Sequence, residues 1–308
     1  MLSYTFKRIL SAIPTLLIII TLAFFMMRLA PGGPFDSERQ LPPEIEANIL
    51  KAYNLDKPLY EQYFIYLDNM LHFDFGPSYK YRDFSVTELI KAGLPASMEI
   101  GGYAILFAAL IGVTLGTLSA LNQNQKLDYT IMGLAMTGIA IPNFVVAPVL
   151  SLILGVYLSW LPVAGWNGGS LSHLVLPVIS LALPQVAYIA RLTRGSMIEI
   201  LHSNFIRTAR AKGLRERLVV MRHAVKGGLL PVITYLGPAI ASITTGSVVI
   251  ESIFDVPGIG RYFVNGALNR DYPLVMGVVV FYAVLIIVMN LLVDVIYSFI
   301  DPKLKNNQ

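Results

Sequence analysis

The side chains that could do chemistry are few and lie far apart along the chain. No cysteine is present, which excludes thiol catalysis, iron–sulfur ligation, c-type haem attachment and disulfides. Ser170 lies close to His173, as in a serine hydrolase, but no flanking glycine pattern or third group accompanies the pair. The four histidines fall in different segments, which does not predict a metal site: His72, His173, His202 and His223. The sequence also lacks G-x-x-x-x-G-K-[ST], so we expect no bound nucleotide and no other cofactor on this chain.

Carboxylates in the membrane would support ion-coupled transport, because a buried charge there is costly and usually functional. Glu99, Glu251 and Asp294 fall at or near the ends of apolar stretches, where we expect solvated or snorkelling groups. No acid falls at the centre of a stretch. The sequence therefore predicts that the energy for any transport comes from a partner. A stand-alone ion-coupled transporter and an intramembrane enzyme using Ser170 and His173 remain as alternatives.

The composition identifies a membrane protein. Of the 308 residues, 55% are hydrophobic and only 14% are charged. Stretches of about twenty uncharged residues are long enough to cross roughly 30 Å of hydrocarbon as a helix. Turn formers and both tryptophans occur at Trp160–Gly169 and divide one long stretch into two spans. We predict an all-α integral membrane protein with six spans: Ile9–Met27, Ile100–Leu121, two within Tyr129–Ala190, Gly227–Ile250 and Tyr272–Val293.

The distribution of lysine and arginine predicts the orientation, because positively charged loops stay in the cytoplasm. One set of segments carries 14 basic residues: the N-terminal tip, residues 122–128, residues 191–226 and the C-terminal tail. The connections on the other side of the membrane carry eight. Both termini are therefore predicted to be cytoplasmic. These loops also explain the net charge of +4, so no nucleic-acid partner is inferred.

The segment Pro31–Pro95 is predicted to lie outside the cell membrane and to carry helices of its own. One helix should begin at Pro42–Glu44 and a second at Pro58, whose apolar residues fall on one face. That face could lie on the bilayer or pack on the spans. The predicted division is a first span at 1–30, an external segment at 31–95, a five-span core at 96–303 with a cytoplasmic loop at 191–228, and a tail at 304–308.

Prolines recur six or seven residues apart within the middle spans. Proline frees a backbone carbonyl, which is tolerated in a membrane where a protein partner or a wet cavity satisfies it. These spans are therefore candidate walls of a pathway, with ordinary kinked packing as the alternative. The candidate pathway residues are Pro142, Asn143, Pro184 and Pro238. Gly112 and Gly116 form a small-xxx-small pair that predicts close helix packing.

The basic segment Arg191–Lys226 predicts a compact structure at the cytoplasmic face. Ser203 is a plausible N-cap for a short helix ending at Gly213, and a second helix should run from Arg215 to Lys226 before Gly227-Gly228. A partner could push on two such tethered helices. The alternative is that the positive charges only enforce topology and contact anionic lipid.

The sequence N-F-I-R-T-A-R-A-K-G-L, followed by R-H-A-V-K, resembles the signature loop of bacterial ABC importer permeases of the oligopeptide and dipeptide class. Arg207-Thr208-Ala209 stands where the family's usual motif has E-A-A, so the acid is absent. The resemblance implies a type I importer permease fold and a loop that docks on ATP-binding subunits. The residues that it places in this coupling loop are Asn204, Phe205, Arg207, Thr208, Ala209, Arg210, Lys212, Gly213, Leu214 and His223.

Further stretches carry the resemblance over nearly the whole chain: Phe24–Phe35, His72–Ser78, Val248–Gly260, Asn269–Val275 and Asp301–Lys303. The similarity of the acidic segment Phe35–Glu44 favours oligopeptides over dipeptides. A permease of the same architecture for dipeptides, a metal chelate or murein peptides remains the alternative. The resemblance implies a bacterial inner-membrane complex with a second permease, two ATP-binding subunits that bind ATP and magnesium, a periplasmic binding protein and a peptide substrate. It also favours an outer gate near Pro257, Gly258 and Asp271.

Overall fold

The computed structural model describes residues 2–29, 51, 53–81 and 83–300, with side chains at 10–29, 51, 53–81 and 83–293. Apart from one isolated bridge between Pro77 and Ser85, the regular structure of these residues is helical. The helices before the basic segment are α1 (Leu2–Leu29), α2 (Leu59–Leu71), α3 (Val86–Leu121), α4 (Lys126–Ala140), α5 (Asn143–Leu150) and α6 (Leu171–Leu201). Those from the basic segment onward are α7 (Asn204–Ala211), α8 (Glu216–Leu218), α9 (Val225–Gly228), α10 (Leu230–Ile253), α11 (Ile259–Leu268) and α12 (Tyr272–Ile300).

Five of these helices are long and apolar enough to cross a membrane: α1, α3, α6, α10 and α12. The remaining predicted span, the first of the two within Tyr129–Ala190, is broken. Helix α4 and the stretch Asn143–Tyr157, which combines α5 with a π-helical continuation, are bent by 104° at Ile141 and Pro142. Asp128 near the start of this pair bonds to Arg194, whereas beyond its end Gly165 donates to the Phe254 carbonyl at 2.8 Å. Because these contacts lie at opposite ends of the bundle, the bent pair crosses it.

Helix α3 begins fourteen residues before the predicted span. Its N-terminus is a capping box, in which the Ser85 hydroxyl accepts from the Glu88 backbone N–H and the Glu88 carboxylate accepts from that of Ser85. With 36 residues, α3 is roughly 54 Å long at 1.5 Å per residue, longer than the hydrocarbon layer is thick. The first turns of α3, which carry charged residues, therefore extend beyond the apolar stretch.

The central packing is between α3 and α6. Helix α3 presents mainly small residues at intervals of four along one buried face: Ile100, Ala104, Ala108, Gly112, Gly116 and Ala120. A Cβ added at Gly112 would lie 2.8 Å from the Ile189 Cβ, and one at Gly116 would lie 2.6 Å from the Thr193 Cβ. The two backbones approach this closely only because glycine has no side chain. The predicted role of Gly112 and Gly116 is confirmed.

The basic segment forms a compact unit, here called the knob (residues 203–228). Helix α7 begins after Ser203, as predicted, and ends at Ala211, two residues before the predicted end at Gly213. The second helix was predicted to end at Lys226, before Gly227-Gly228. Instead α8, a π-helical turn at Val219–Ala224 and α9 continue through both glycines, and only Leu229 separates α9 from α10. A Cβ at Gly228 would lie 2.6 Å from the Met197 sulfur. That glycine therefore permits close packing against α6.

Around the external segment, α2 confirms the helix predicted to begin at Pro58, which is its N-cap. Helix α2 is held against α1 by a 2.7 Å hydrogen bond between the Thr21 and Tyr63 hydroxyls, with Phe24 packed edge-on to Tyr63. The helix predicted to begin at Pro42 lies outside the described residues.

Candidate coupling and translocation site

The knob is an amphipathic unit whose inner face belongs to the protein core. Ile206 and Ala209 of α7 are buried in a cluster with the α3 and α6 ends and the π-helical turn: Ala120, Met197, Val219, Val220 and Ala224. The outer face is exposed and combines basic side chains with apolar ones. Phe205 is 49% exposed and Met221 is 62% exposed. Because its inner face is anchored in the core and its outer face is exposed, the knob can transmit force between a docked partner and the spans.

Gly213 gives the knob its sharp turn. Its φ is +76°, in the left-handed region where a residue with a Cβ is strained. The Leu214 N–H bonds to the Ala209 carbonyl at 3.4 Å and the Gly213 N–H to the Arg210 carbonyl at 2.9 Å, which together form a Schellman motif. Leu214 also packs against the buried cluster that contains Ala209. The turn therefore seals the end of α7 against the core.

An ion pair closes the knob on its outer side. The Arg210 guanidinium donates to both Glu216 carboxylate oxygens, at 3.1 and 2.6 Å. This bonding lowers the pKa of the Glu216 carboxyl and raises that of Arg210. The pair therefore contributes at neutral pH and is lost as acid protonates Glu216. Since both side chains are about half exposed, its contribution is small.

A second ion pair joins α4 to α6 on the side of the bundle where the knob lies. The Arg194 Nε and Nη2 donate to the two Asp128 carboxylate oxygens at 2.6 and 2.7 Å. The Ser119 hydroxyl and the Asn124 backbone N–H complete the acceptor sites of Asp128, which is 1% exposed. Helices α3, α4 and α6 therefore meet at one carboxylate, about two and a half turns before the knob begins. The sequence prediction missed this contact because it treated both residues as loop charges.

A polar contact between α6 and α10 was also missed. The Gln185 side chain is buried; it donates to the Ser242 hydroxyl at 3.0 Å and accepts from the Tyr235 hydroxyl at 2.8 Å. Tyr235 stacks on Tyr188 with ring centroids 4.5 Å apart, and the Arg191 guanidinium lies 4.6 Å from the Tyr188 centroid. The available sequence signal was a glutamine near the middle of an otherwise apolar span.

The candidate pathway residues do not form one cluster. Pro142 is exposed at the 104° bend, and Asn143 begins α5. A Cβ at Gly246 of α10 would lie 3.0 Å from the Asn143 side-chain nitrogen, so these two helices touch here. Pro184 is half-buried within α6, whereas Pro238 is exposed on α10. Pro142 coincides with a break, but Pro184 lies inside a continuous helix.

At the opposite end of the bundle, the expectation that Glu251 is solvated is wrong. Glu251 is 0% exposed, and one of its oxygens accepts from the Gly260 backbone N–H at 2.7 Å. The Ser97 hydroxyl of α3 accepts from the Ile259 N–H at 2.9 Å. In the loop between α10 and α11, Pro257 is half-buried and Gly258 is buried. A Cβ added at Gly258 would lie 2.7 Å from the Ser97 oxygen. The carboxylate therefore holds the loop by its backbone.

Asp271 is buried and holds the external segment to α12. Its oxygens accept from the Ser78 hydroxyl, from the backbone N–H groups of Tyr79 and Lys80 at 3.1 and 3.3 Å, and from that of Leu274 at 3.3 Å. The last bond satisfies the N-terminus of α12. Asp271 is therefore an anchor beneath the surface at the end opposite the knob.

Ser170 and His173 lie together, with 2.7 Å between the hydroxyl and Nδ1, but this follows from their places at the start of α6. Within the described part of the chain, no carboxylate bonds to His173. The third group that a hydrolytic triad needs is missing there.

Residues 112–306 match the family model described as binding-protein-dependent transport system inner membrane component, and residues 1–95 match the N-terminal model for such components. The chain belongs to this family. It is a multi-pass inner-membrane protein of the ABC importer permease class.

Curated members of the family match nearly end to end. The chain is 56% identical over 305 residues to the oligopeptide transport system permease proteins OppB of Haemophilus influenzae and of Escherichia coli K12, covering 99% of this chain and 100% of each relative. It is 46% identical to the dipeptide transport system permease protein DppB of Bacillus subtilis, covering 98% of this chain and 97% of that protein.

The fold of this family member also matches a solved structure. A chain of the inward-facing MetNI methionine ABC transporter superposes with a TM-score of 0.60 at 16% identity, covering 70% of this chain and 97% of that one. The all-helical importer permease fold predicted from the sequence is confirmed.

Proposed function

We propose that this chain is a permease subunit of an ATP-driven oligopeptide importer and forms half of the translocation pathway. The observation that carries the proposal is its 56% identity, over nearly full length, to the OppB permeases. The described geometry supports it, because the knob is anchored to α3 and α6 and exposes an apolar and basic outer face. Both termini and the knob lie in the cytoplasm, as the distribution of basic residues indicates.

The complete transporter contains this chain, a second homologous permease, two ATP-binding subunits and an external peptide-binding protein. ATP and magnesium bind the ATP-binding subunits, and this chain catalyses no reaction of its own. Docking of those subunits on Phe205 and Met221 moves the knob. The Asp128–Arg194 bond passes the movement to three spans and switches the pathway between its two openings.

Identifying the partners and reconstituting transport tests the proposal. The complex is purified from native membranes through a tag on this chain, its subunits are identified by mass spectrometry, and it is placed in proteoliposomes with the binding protein outside. We expect peptide to accumulate only when ATP is supplied on the knob side. Peptide movement by this chain alone, driven by an ion gradient, would contradict the proposal.

Dipeptide import is the second candidate, since DppB of Bacillus subtilis is 46% identical. Competition between labelled dipeptides and longer peptides in the same proteoliposomes separates the two. The oligopeptide proposal requires that the longer peptides compete better.

A further inference from the structure

A polar pocket lies where α1 ends, at the opposite end of the bundle from the knob. Its volume is about 120 Å³. Helices α1 and α2, the Phe75–Tyr79 stretch and the start of α12 form its walls. The polar side chains that line it include Arg28, Asn54, Gln62, Tyr66 and Asn69.

Three buried polar atoms of this pocket have no hydrogen-bond partner among the residues that the structure describes: the Arg28 Nε, the Gln62 Oε1 and the Tyr66 hydroxyl. The Arg28 Nε is a cationic donor and the Gln62 Oε1 is an acceptor. The Tyr66 hydroxyl can donate, and burial raises the pKa of its phenol. Buried polar groups without partners are rare and costly, so such a concentration indicates a missing ligand. The Gln62 side-chain nitrogen is already satisfied by the Leu55 and Lys57 carbonyls.

The pocket lies at the edge of the hydrocarbon layer. Leu22 and Met26 of α1 expose apolar side chains, and Arg28 follows them in the last turn of the helix. Helix α2 exposes Phe64 (64%) and Leu71 (79%), as expected of a helix at the bilayer surface. A guanidinium at this depth faces the layer in which lipid phosphates lie.

The electrostatics of the wall favour an anion. The Arg28 guanidinium lies over the Phe24 ring, 5.5 Å from its centroid, which fixes its position. Burial raises the pKa of Tyr79 to about 12, and Arg28 partly offsets this rise. The nearby carboxylate of Asp271 is already held by Ser78 and by backbone N–H groups.

We propose that this pocket binds the headgroup of a phospholipid, whose phosphate accepts hydrogen bonds from Arg28 and Tyr66 while Gln62 Oε1 accepts one from the alcohol part of the headgroup. The last contact makes the site selective. Ethanolamine and glycerol headgroups carry N–H or O–H donors, whereas choline carries none. Phosphatidylethanolamine and phosphatidylglycerol should therefore bind more tightly than phosphatidylcholine.

Native mass spectrometry of the intact transporter complex tests this site. The complex is exchanged into detergent with each of the three lipids, and retained lipid is counted during washing. We expect one lipid to persist with the ethanolamine or glycerol headgroup. Arg28→Ala and Tyr66→Phe should each weaken its retention at least about tenfold, a change of about 1.4 kcal/mol, because each removes a hydrogen bond to a charged group. Gln62→Leu should instead reduce the preference over choline.

The controls separate lipid from other occupants. Arg261→Gln removes a half-exposed arginine at the same end of the bundle and should leave retention unchanged. Tyr66→Phe removes only a hydroxyl, and each variant is compared only where the complex still assembles. Equal retention by wild type and Arg28→Ala would overturn the proposal. So would displacement of the lipid by millimolar inorganic phosphate, because the pocket would then be a site for free phosphate.

Discussion

Asp128 and Arg194 form a bidentate ion pair at the place where α3, α4 and α6 converge on the knob, with donor–acceptor distances of 2.6 and 2.7 Å. The two partners are not equally buried, since the Arg194 side chain is 28% exposed and that of Asp128 is 1% exposed. Removing one partner or the other therefore has different consequences. An unpaired arginine can turn towards water, whereas an unpaired Asp128 carboxylate stays buried.

Arg194→Met should destabilise the protein more than Asp128→Asn does. Leaving a buried charge without its partner costs about 3–5 kcal/mol, and only the arginine replacement does this fully. Thermal unfolding of the purified complex in detergent measures the difference. Equal destabilisation by the two variants would contradict the asymmetry. Arg210→Met serves as the matched control, since it breaks an exposed ion pair and should cost less than about 1 kcal/mol.

Gly213→Val should uncouple ATP hydrolysis from uptake while leaving insertion intact. A Cβ at Gly213 would meet no atom within 4 Å, so the cost is purely conformational, at about 1–2 kcal/mol for the left-handed backbone. The turn that seals α7 would open and shift its outer face. ATPase activity and peptide uptake are measured together in proteoliposomes.

Gly213→Asn is the control for this change, because asparagine tolerates the left-handed conformation. It should retain most of the coupling. If Gly213→Val keeps a normal ratio of peptide imported to ATP hydrolysed, the turn has no role in coupling.

Much of the fold could be predicted because the relevant signals are local. Pro58 and the apolar face that follows it specify α2, and the turn formers at Trp160–Gly169 separate two spans. Gly112 and Gly116 indicated close packing through their spacing alone. In each case the signal lies within one short stretch of sequence.

The misplaced residues depend on partners in other structural elements. Glu251 looked like a solvated end group, but the Gly258–Gly260 backbone wraps around its carboxylate. Gly228 looked like a helix terminator, but it fits against Met197 of α6. Asp128 and Arg194 are 66 positions apart. The spacing of residues along the sequence does not show such contacts, because they depend on how the helices pack against one another.

Gly116→Ala should weaken the packing of α3 on α6. The added Cβ would lie 2.6 Å from the Thr193 Cβ and 3.1 Å from the Arg194 backbone nitrogen, so the helices must separate. Overpacking of this kind costs about 1–3 kcal/mol. Gly133→Ala in α4 is the matched control, because its Cβ would meet nothing within 4 Å. Thermal unfolding should show a loss for the first variant and none for the second; equal effects would refute the close approach.

Asp271→Asn should release the external segment from α12. The carboxylate accepts from one hydroxyl and three backbone N–H groups, and an amide would turn an NH₂ donor towards some of these donors. Because hydrogen bonds to a charged group are worth about 1.5–3 kcal/mol, we expect faster hydrogen exchange at Tyr79 and Lys80. Ser78→Ala removes one bond and should have a smaller effect. Asp255→Asn is the control, since that carboxylate pairs with Arg261 at the surface and should change exchange little. Unchanged exchange at Tyr79 and Lys80 in Asp271→Asn would show that other contacts hold the segment.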